Sequence, residues 1–257
     1  MNKKVLSFLC IAVPLLSVVA GCRPAEEKLT LATAANVQFA MQALTKAFSD
    51  ETGIPCDIVL GSSGKLTAQI KAGAPYDMFI SANMKYPDEL QRAGLTVGSP
   101  EIYAYGKLVL WTCALDTVPS IDMLQAENIR HIAIANPETA PYGSASLDLL
   151  KWYGLYDELK DKLVYGESIA QVNQYIISET ATLGFTAKSV ILSPEMKGKG
   201  TWKEMEDAAY SPIAQGAVVL KREGHDTSSA EKFFRFLFSD EAARILEEYG
   251  YAVNTEK

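Results

Sequence analysis

Short runs of apolar, strand-forming residues alternate along this chain with segments whose apolar residues recur every three or four positions, and no other feature limits the fold so strongly. A helix between two strands carries the chain back to its starting edge, so successive strands run parallel and are covered by helices. Lys28 to Ala34 (KLTLATA) reads as such a strand, and after it Val37, Ala40, Met41, Leu44 and Phe48 share one helical face, with Asn36 at the N-cap. Cys56 to Leu60 is a second strand, leading through Ser62-Ser63 into a helix with Leu66 and Ile70 that Gly73 and Pro75 end. Asp77 to Ala82 (DMFISA) is a third, apolar on both faces as buried parallel strands are.

Ile102 to Thr112 is long enough in extended form to cross between two bodies, and a new strand-helix series follows it. His131 to Ala135, Lys162 to Gly166 and Thr182 to Thr186 read as strands. Helices follow the first two, one through Leu147, Leu150 and Tyr153 and one opened by Ser168-Ile169-Ala170-Gln171, an S-x-x-Q capping box. Ile213 to Lys221 is a late strand that crosses back, and two closing helices carry Phe233, Phe234, Leu237 and then Ile245, Leu246, Tyr249. The expected organisation is a first lobe over 29–105, a second over 106–209 and a return into the first over 210–257. Lobes of this length are typical of single cores.

The N-terminus has the pattern of an export signal over 1–21: Lys3 and Lys4, an apolar run from Val5 to Val19, then Ala20-Gly21 before Cys22. That run is shorter than the ~20 residues a membrane span requires. Residues 22–28 read as a polar tether. Without Lys3 and Lys4 the 24 basic residues become 22, against 31 acidic ones, a formal charge of −9 that argues against nucleic acid as a partner. Beyond Cys10 and Cys22 there remain Cys56 and Cys113, open to either a disulfide or two free thiols, with no Cys/His spacing for a metal.

In an open α/β sheet, ligands lie beyond the carboxyl ends of the strands, where helix N-termini gather. Four turns fall there: Ala35-Asn36 and Ser62-Ser63 before the long extended segment, Pro141-Tyr142-Gly143 and Ser168-Ile169 after it. Unpartnered first-turn N–H groups, the helix macrodipole and serine hydroxyls all favour an anion. None of these positions is a carboxylate, so the set suits a fully ionised oxyanion better than monohydrogen phosphate, whose proton needs an acceptor. Lys65 reads as a solvated surface lysine. Gly61 to Lys65 does not have P-loop spacing, since two residues rather than four separate its glycines and Leu66 follows the lysine.

Ala32-Thr33-Ala34-Ala35-Asn36, then Ser62-Ser63-Gly64-Lys65-Leu66-Thr67-Ala68-Gln69-Ile70 and Gly73-Ala74-Pro75-Tyr76-Asp77-Met78-Phe79-Ile80-Ser81-Ala82, resemble the periplasmic molybdate-binding proteins of ABC importers, a similarity that extends from Leu29 to Ala252. The resemblance implies a type II periplasmic binding protein of two α/β lobes that holds molybdate or tungstate between them without a cofactor. It also implies a monomer that delivers to importer permease subunits. Val19-Ala20-Gly21-Cys22 resembles a lipobox, implying a lipid on Cys22 and attachment to the outer side of a bacterial membrane. Carried across residue by residue, the family's first-turn serine falls at Asn36, its second serine at Ser63 and its two backbone donors at Tyr142 and Ile169. The family's tyrosine hydroxyl falls at Ala187, and Tyr142 or Thr186 is expected to replace it. Sulfate or another small anion in the same fold remains open. A distant rival is a serine hydrolase built on Ser168 in Gly166-Glu167-Ser168-Ile169-Ala170, a near miss to G-x-S-x-G, with only His131 and His225 to serve as base.

Overall fold

The computed structural model describes residues 28–253; the export signal, Cys22 and most of the tether lie outside the described residues. The first series runs β1 (Leu29–Ala34), a 3-10 turn (Ala35–Val37), α1 (Gln38–Thr52), β2 (Cys56–Gly61), α2 (Ser63–Lys71), β3 (Met78–Ser81), α3 (Lys85–Arg92) and β4 (Thr96–Gly106). The second runs β5 (Leu108–Thr112), β6 (Ile132–Ala135), α4 (Pro141–Trp152), α5 (Tyr156–Leu159), β7 (Leu163–Gly166), α6 (Ile169–Ile177), β8 (Leu183–Ala187), α7 (Lys188–Ile191) and β9 (Thr201–Glu204). The chain then returns with β10 (Ile213–Leu220), α8 (Ser228–Phe236) and α9 (Asp240–Glu248).

Two five-stranded sheets result, ordered β2-β1-β3-β10-β4 and β7-β6-β8-β5-β9. Each has a parallel trio, β2-β1-β3 or β7-β6-β8, extended on one side by two strands joined through antiparallel pairing. The trio is what strand-helix alternation dictates, and the antiparallel strands are those at the crossings between lobes. In the first sheet Met78 and Ile80 face α1, α8 and α9, where Phe48 meets Phe233 edge-on at 5.0 Å. Phe79 between them faces the opposite cluster with Leu66 and Leu90. The period of two in a strand therefore buries this run on both sides, at roughly 1.5–3 kcal/mol per large apolar side chain.

The extended segment expected to cross between bodies does so at Lys107, between the end of β4 and the start of β5. The return crossing lies beside it: Lys107 pairs with Asp207, the Leu108 N–H donates to the Tyr210 hydroxyl at 3.2 Å, and that hydroxyl donates to Asp207 at 3.1 Å. The Lys107 ammonium holds the Asp207 carboxyl below its usual range. The two crossings are thus tied into one hinge.

Cys56 on β2 and Cys113 after β5 are free thiols on different sheets. Burial pushes the Cys56 thiol up to about 11 and Cys113 also upward, so both stay protonated and poorly nucleophilic at neutral pH.

Candidate functional site

The carboxyl ends of β1, β2, β6 and β7 meet between the lobes, and each feeds a helix N-terminus into one small cavity. Its wall comprises Ala34-Ala35-Asn36, Gly61-Ser62-Ser63 and Ala82 from the first lobe, and Ala140-Pro141-Tyr142 and Ser168-Ile169 from the second. No carboxylate or ammonium group is among them. None of the four helical starts carries an acidic residue in its first turn or a side-chain cap on its amides. Helices α3, α8 and α9, which begin elsewhere, carry Asp88, Glu231, and Asp240 with Glu241 in that turn, and Ser239 caps α9. An acid at a helix start is the ordinary way to offset the macrodipole. The four starts at the cleft leave that positive potential directed into the cavity.

The wall offers donors of two kinds. The N–H groups of Ser63, Tyr142 and Ile169 lie in the first turns of α2, α4 and α6, where no intrahelical acceptor is in reach, and Pro141 occupies the position before Tyr142. Ser63 Oγ accepts from the Ala82 N–H at 3.0 Å, leaving its own proton free to donate. Ser62 Oγ is buried with no hydrogen-bond partner among the described residues. Ser62 sits at the N-cap of α2 without capping it, so a residue of the cavity wall keeps its hydroxyl uncommitted. Ser168 likewise makes no cap bond. Gln171 reaches back instead to the Glu167 N–H at 2.7 Å, one residue before the N-cap, so neither bond of the expected capping box forms.

Four of the five residues the sequence nominated, Asn36, Ser63, Tyr142 and Ile169, line this cavity together. Thr186 does not. It lies one residue before the end of β8, turned toward α6, and its hydroxyl donates to Asn173 Oδ1. Asn36 also departs from expectation. It lies within the 3-10 turn and does not cap α1, and its amide gives both hydrogens away, to Gln215 Oε1 at 2.8 Å and to the Tyr251 hydroxyl at 3.0 Å. Its side chain therefore positions the loop, which lines the cavity. The Tyr142 hydroxyl lies beside Gly106 at the hinge, where a Cβ on Gly106 would come within 2.2 Å of it, and it is buried with no hydrogen-bond partner among the described residues. Burial raises the Tyr142 and Tyr251 hydroxyls well above the usual tyrosine range, so neither introduces negative charge beside the cavity.

Ser189, on α7 of the second lobe, donates to the Asn36 carbonyl at 2.7 Å and meets the Tyr251 hydroxyl at 3.1 Å. Sequence reasoning passed over Gln215, Tyr251 and Ser189. Gln215 had a visible signal, a lone polar residue in an otherwise apolar strand, and the other two had none. Lys65 is a solvated surface lysine, as expected, and in addition pairs across the cleft with Glu167. Both histidines precede a strand or contact its starting end: His131 stands before β6, and His225 is 3.0 Å from Asp77, before β3. The cavity lies at the opposite ends of these strands, so Ser168 has no nearby base. Among the described residues no group of three or more metal-ligating side chains is gathered.

Two α/β lobes on a double-stranded hinge, closing on a donor-lined cavity, define a two-lobe solute-binding protein. The chain belongs to the bacterial extracellular solute-binding proteins, a family whose pattern matches residues 29–252. It is 35% identical over 236 residues to the molybdate-binding protein ModA of Azotobacter vinelandii, covering 91% of this chain and 93% of that one. It is 36% identical over 221 residues to ModA of Rhodobacter capsulatus, covering 86% of each. The solved Azotobacter vinelandii periplasmic molybdate-binding protein superposes with a TM-score of 0.84 at 35% identity, over 89% of this chain and all of that one. These relatives are binding proteins, and the chain is not an enzyme.

Proposed function

We propose that this protein captures a tetrahedral, fully ionised oxyanion, molybdate or tungstate, outside the cytoplasmic membrane and delivers it to the permease subunits of an ABC importer. The observation that carries this reading is the convergence of four acid-free, uncapped helix starts on one cavity whose wall has no charged side chain. The ligands named by the two ModA relatives support the choice of anion. The backbone N–H groups of Asn36, Ser63, Tyr142 and Ile169 and the hydroxyls of Ser63 and Ser62 are the donors. Hydrogen bonds to a charged group contribute about 1.5–3 kcal/mol each. Six of them, less desolvation and the cost of ordering the lobes, are compatible with the ~8 kcal/mol of micromolar binding.

Because the ligand binds only the folded chain, it raises the melting temperature. Molybdate or tungstate at micromolar concentration is expected to do so by several degrees, and sulfate or phosphate to change it little. Equal shifts with all four anions would remove the selectivity, and no shift with any would remove the binding. The cavity is formed by a single chain, and the protein acts as a monomer. A lipid on Cys22 holds it at the membrane, a reading supported by the Val19 to Cys22 sequence. Cys22→Ser is expected to move the protein from the membrane fraction to the soluble exported fraction, and unchanged membrane association would refute the anchor.

A further inference from the structure

We propose that Gly64 is a positioning residue for ligand capture: its missing side chain lets the 138–139 turn of the second lobe seat on the start of α2 and latch the cleft shut. The inference rests on the cleft being the anion site, but the latch itself contains no cavity donor. Gly64 donates its N–H to the Thr139 carbonyl at 2.8 Å, and Tyr86, on α3 of the same lobe, donates its hydroxyl to the Glu138 carbonyl at 3.0 Å. Lys65 and Glu167 pair beside them. This ion pair is half exposed on both sides and adds little by itself. The backbone seat depends on the approach distance. A Cβ on Gly64 would lie 2.9 Å from Thr139 Cα, 3.1 Å from Thr139 Cβ and 2.9 Å from the Tyr86 hydroxyl. Thr139 Cα is backbone and cannot rotate away.

Gly64 does not have a positive φ. Alanine is therefore allowed there, and in a helix it is preferred over glycine. An ordinary structural glycine in this position would be improved by Gly64→Ala, whereas a latch glycine would be damaged in the closed state alone. That difference separates the two roles.

In the full chain, Gly64→Ala is expected to leave the melting temperature without ligand unchanged or slightly raised. It should weaken molybdate binding about tenfold or more, mostly through faster dissociation, as overpacking of a fixed contact does. Wild-type affinity and dissociation rate in this variant would overturn the latch. Tyr86→Phe adds no atom and removes one hydrogen bond across the cleft, and it is expected to speed dissociation about threefold. An unchanged rate there would also count against the proposal. Amide hydrogen exchange over residues 62–67 and 137–141, measured without ligand, reads the seat directly. Exchange should be faster in Gly64→Ala than in the wild type, and equal rates would overturn the latch even if no anion bound. Failure of the wild type to bind any of the anions would instead defeat the site assignment, leaving the exchange comparison to decide the latch.

Discussion

Gly143→Ala is expected to abolish anion capture and to destabilise the fold by about 3 kcal/mol, the upper end of what overpacking costs. Gly143 lies in the first turn of α4, directly after the Tyr142 N–H that faces the cavity. A Cβ there would stand 2.1 Å from the Ala135 carbonyl oxygen, 2.7 Å from its carbon and 2.9 Å from the Asn136 carbonyl carbon. All three are backbone atoms at the end of β6, held by the parallel register of that strand with β7, and by the Asn136 N–H bond to the Gly166 carbonyl at 2.7 Å. No rotamer change relieves the clash, so α4 must move away from the strand. The shift carries the Tyr142 N–H off its line into the cavity, while Asn136 and Gly166 hold the neighbouring turn in place. Chemical denaturation and calorimetry with molybdate read the two losses separately. Near-wild-type stability with intact binding would show that α4 can shift without cost and would refute this account of the cleft.

Asn36→Asp is expected to weaken oxyanion binding at least about 100-fold at pH 8 while nearly preserving shape. The substitution is isosteric, but it replaces the amide that bonds Gln215 and Tyr251 with a carboxylate against a cavity organised for negative charge. Like charges a few ångströms apart in a partly desolvated site repel by several kcal/mol at an effective dielectric near 20, roughly 4 kcal/mol at 4 Å. The sign of the pH dependence follows from the same physics. Burial and the neighbouring anion both disfavour the charged carboxylate, so its pKa rises, and the variant regains affinity as pH falls through that raised value. Calorimetry at pH 8 and pH 5 tests this, and a variant that binds equally at both values, as tightly as the wild type, would remove Asn36 from the wall of the site. Asn36→Leu is the useful companion, because it removes the donor without adding charge and leaves buried Gln215 and Tyr251 groups unmatched. It is expected to lower stability by about 1–3 kcal/mol.

Much of the architecture was legible because periodicity and burial are coupled. The Asp77 to Ala82 run is apolar through its centre on both faces, and only a strand covered on both sides satisfies that, which is where Met78, Phe79 and Ile80 lie. The elements not anticipated are short or lack such a pattern. Helix α3 carries Pro87 in its first turn, α5 and α7 are single turns of four residues, and β9 is a four-residue edge strand held by pairing with β5. Their form depends on neighbours distant in sequence.

The site divides along the same line. That Ser62-Ser63, Pro141-Tyr142 and Ser168-Ile169 open helices after strands is local information, and topology then brings such turns to one edge, so the sequence alone determined a donor-lined cleft between two α/β lobes. It also determined the absence of charge in the wall, because each wall residue is uncharged by type. Only the tertiary structure decided which donors are free. Asn36 and Thr186 carry hydrogen-bonding groups as suitable as those of Ser62 and Ser63, yet Gln215, Tyr251 and Asn173, up to 215 residues away, take them up. A hydrogen bond satisfies a donor once, and which acceptor reaches it first depends on packing across both lobes. Lys65 and Gly64 acquire their roles in the same way, from a second lobe that meets them only when the chain is folded and closed.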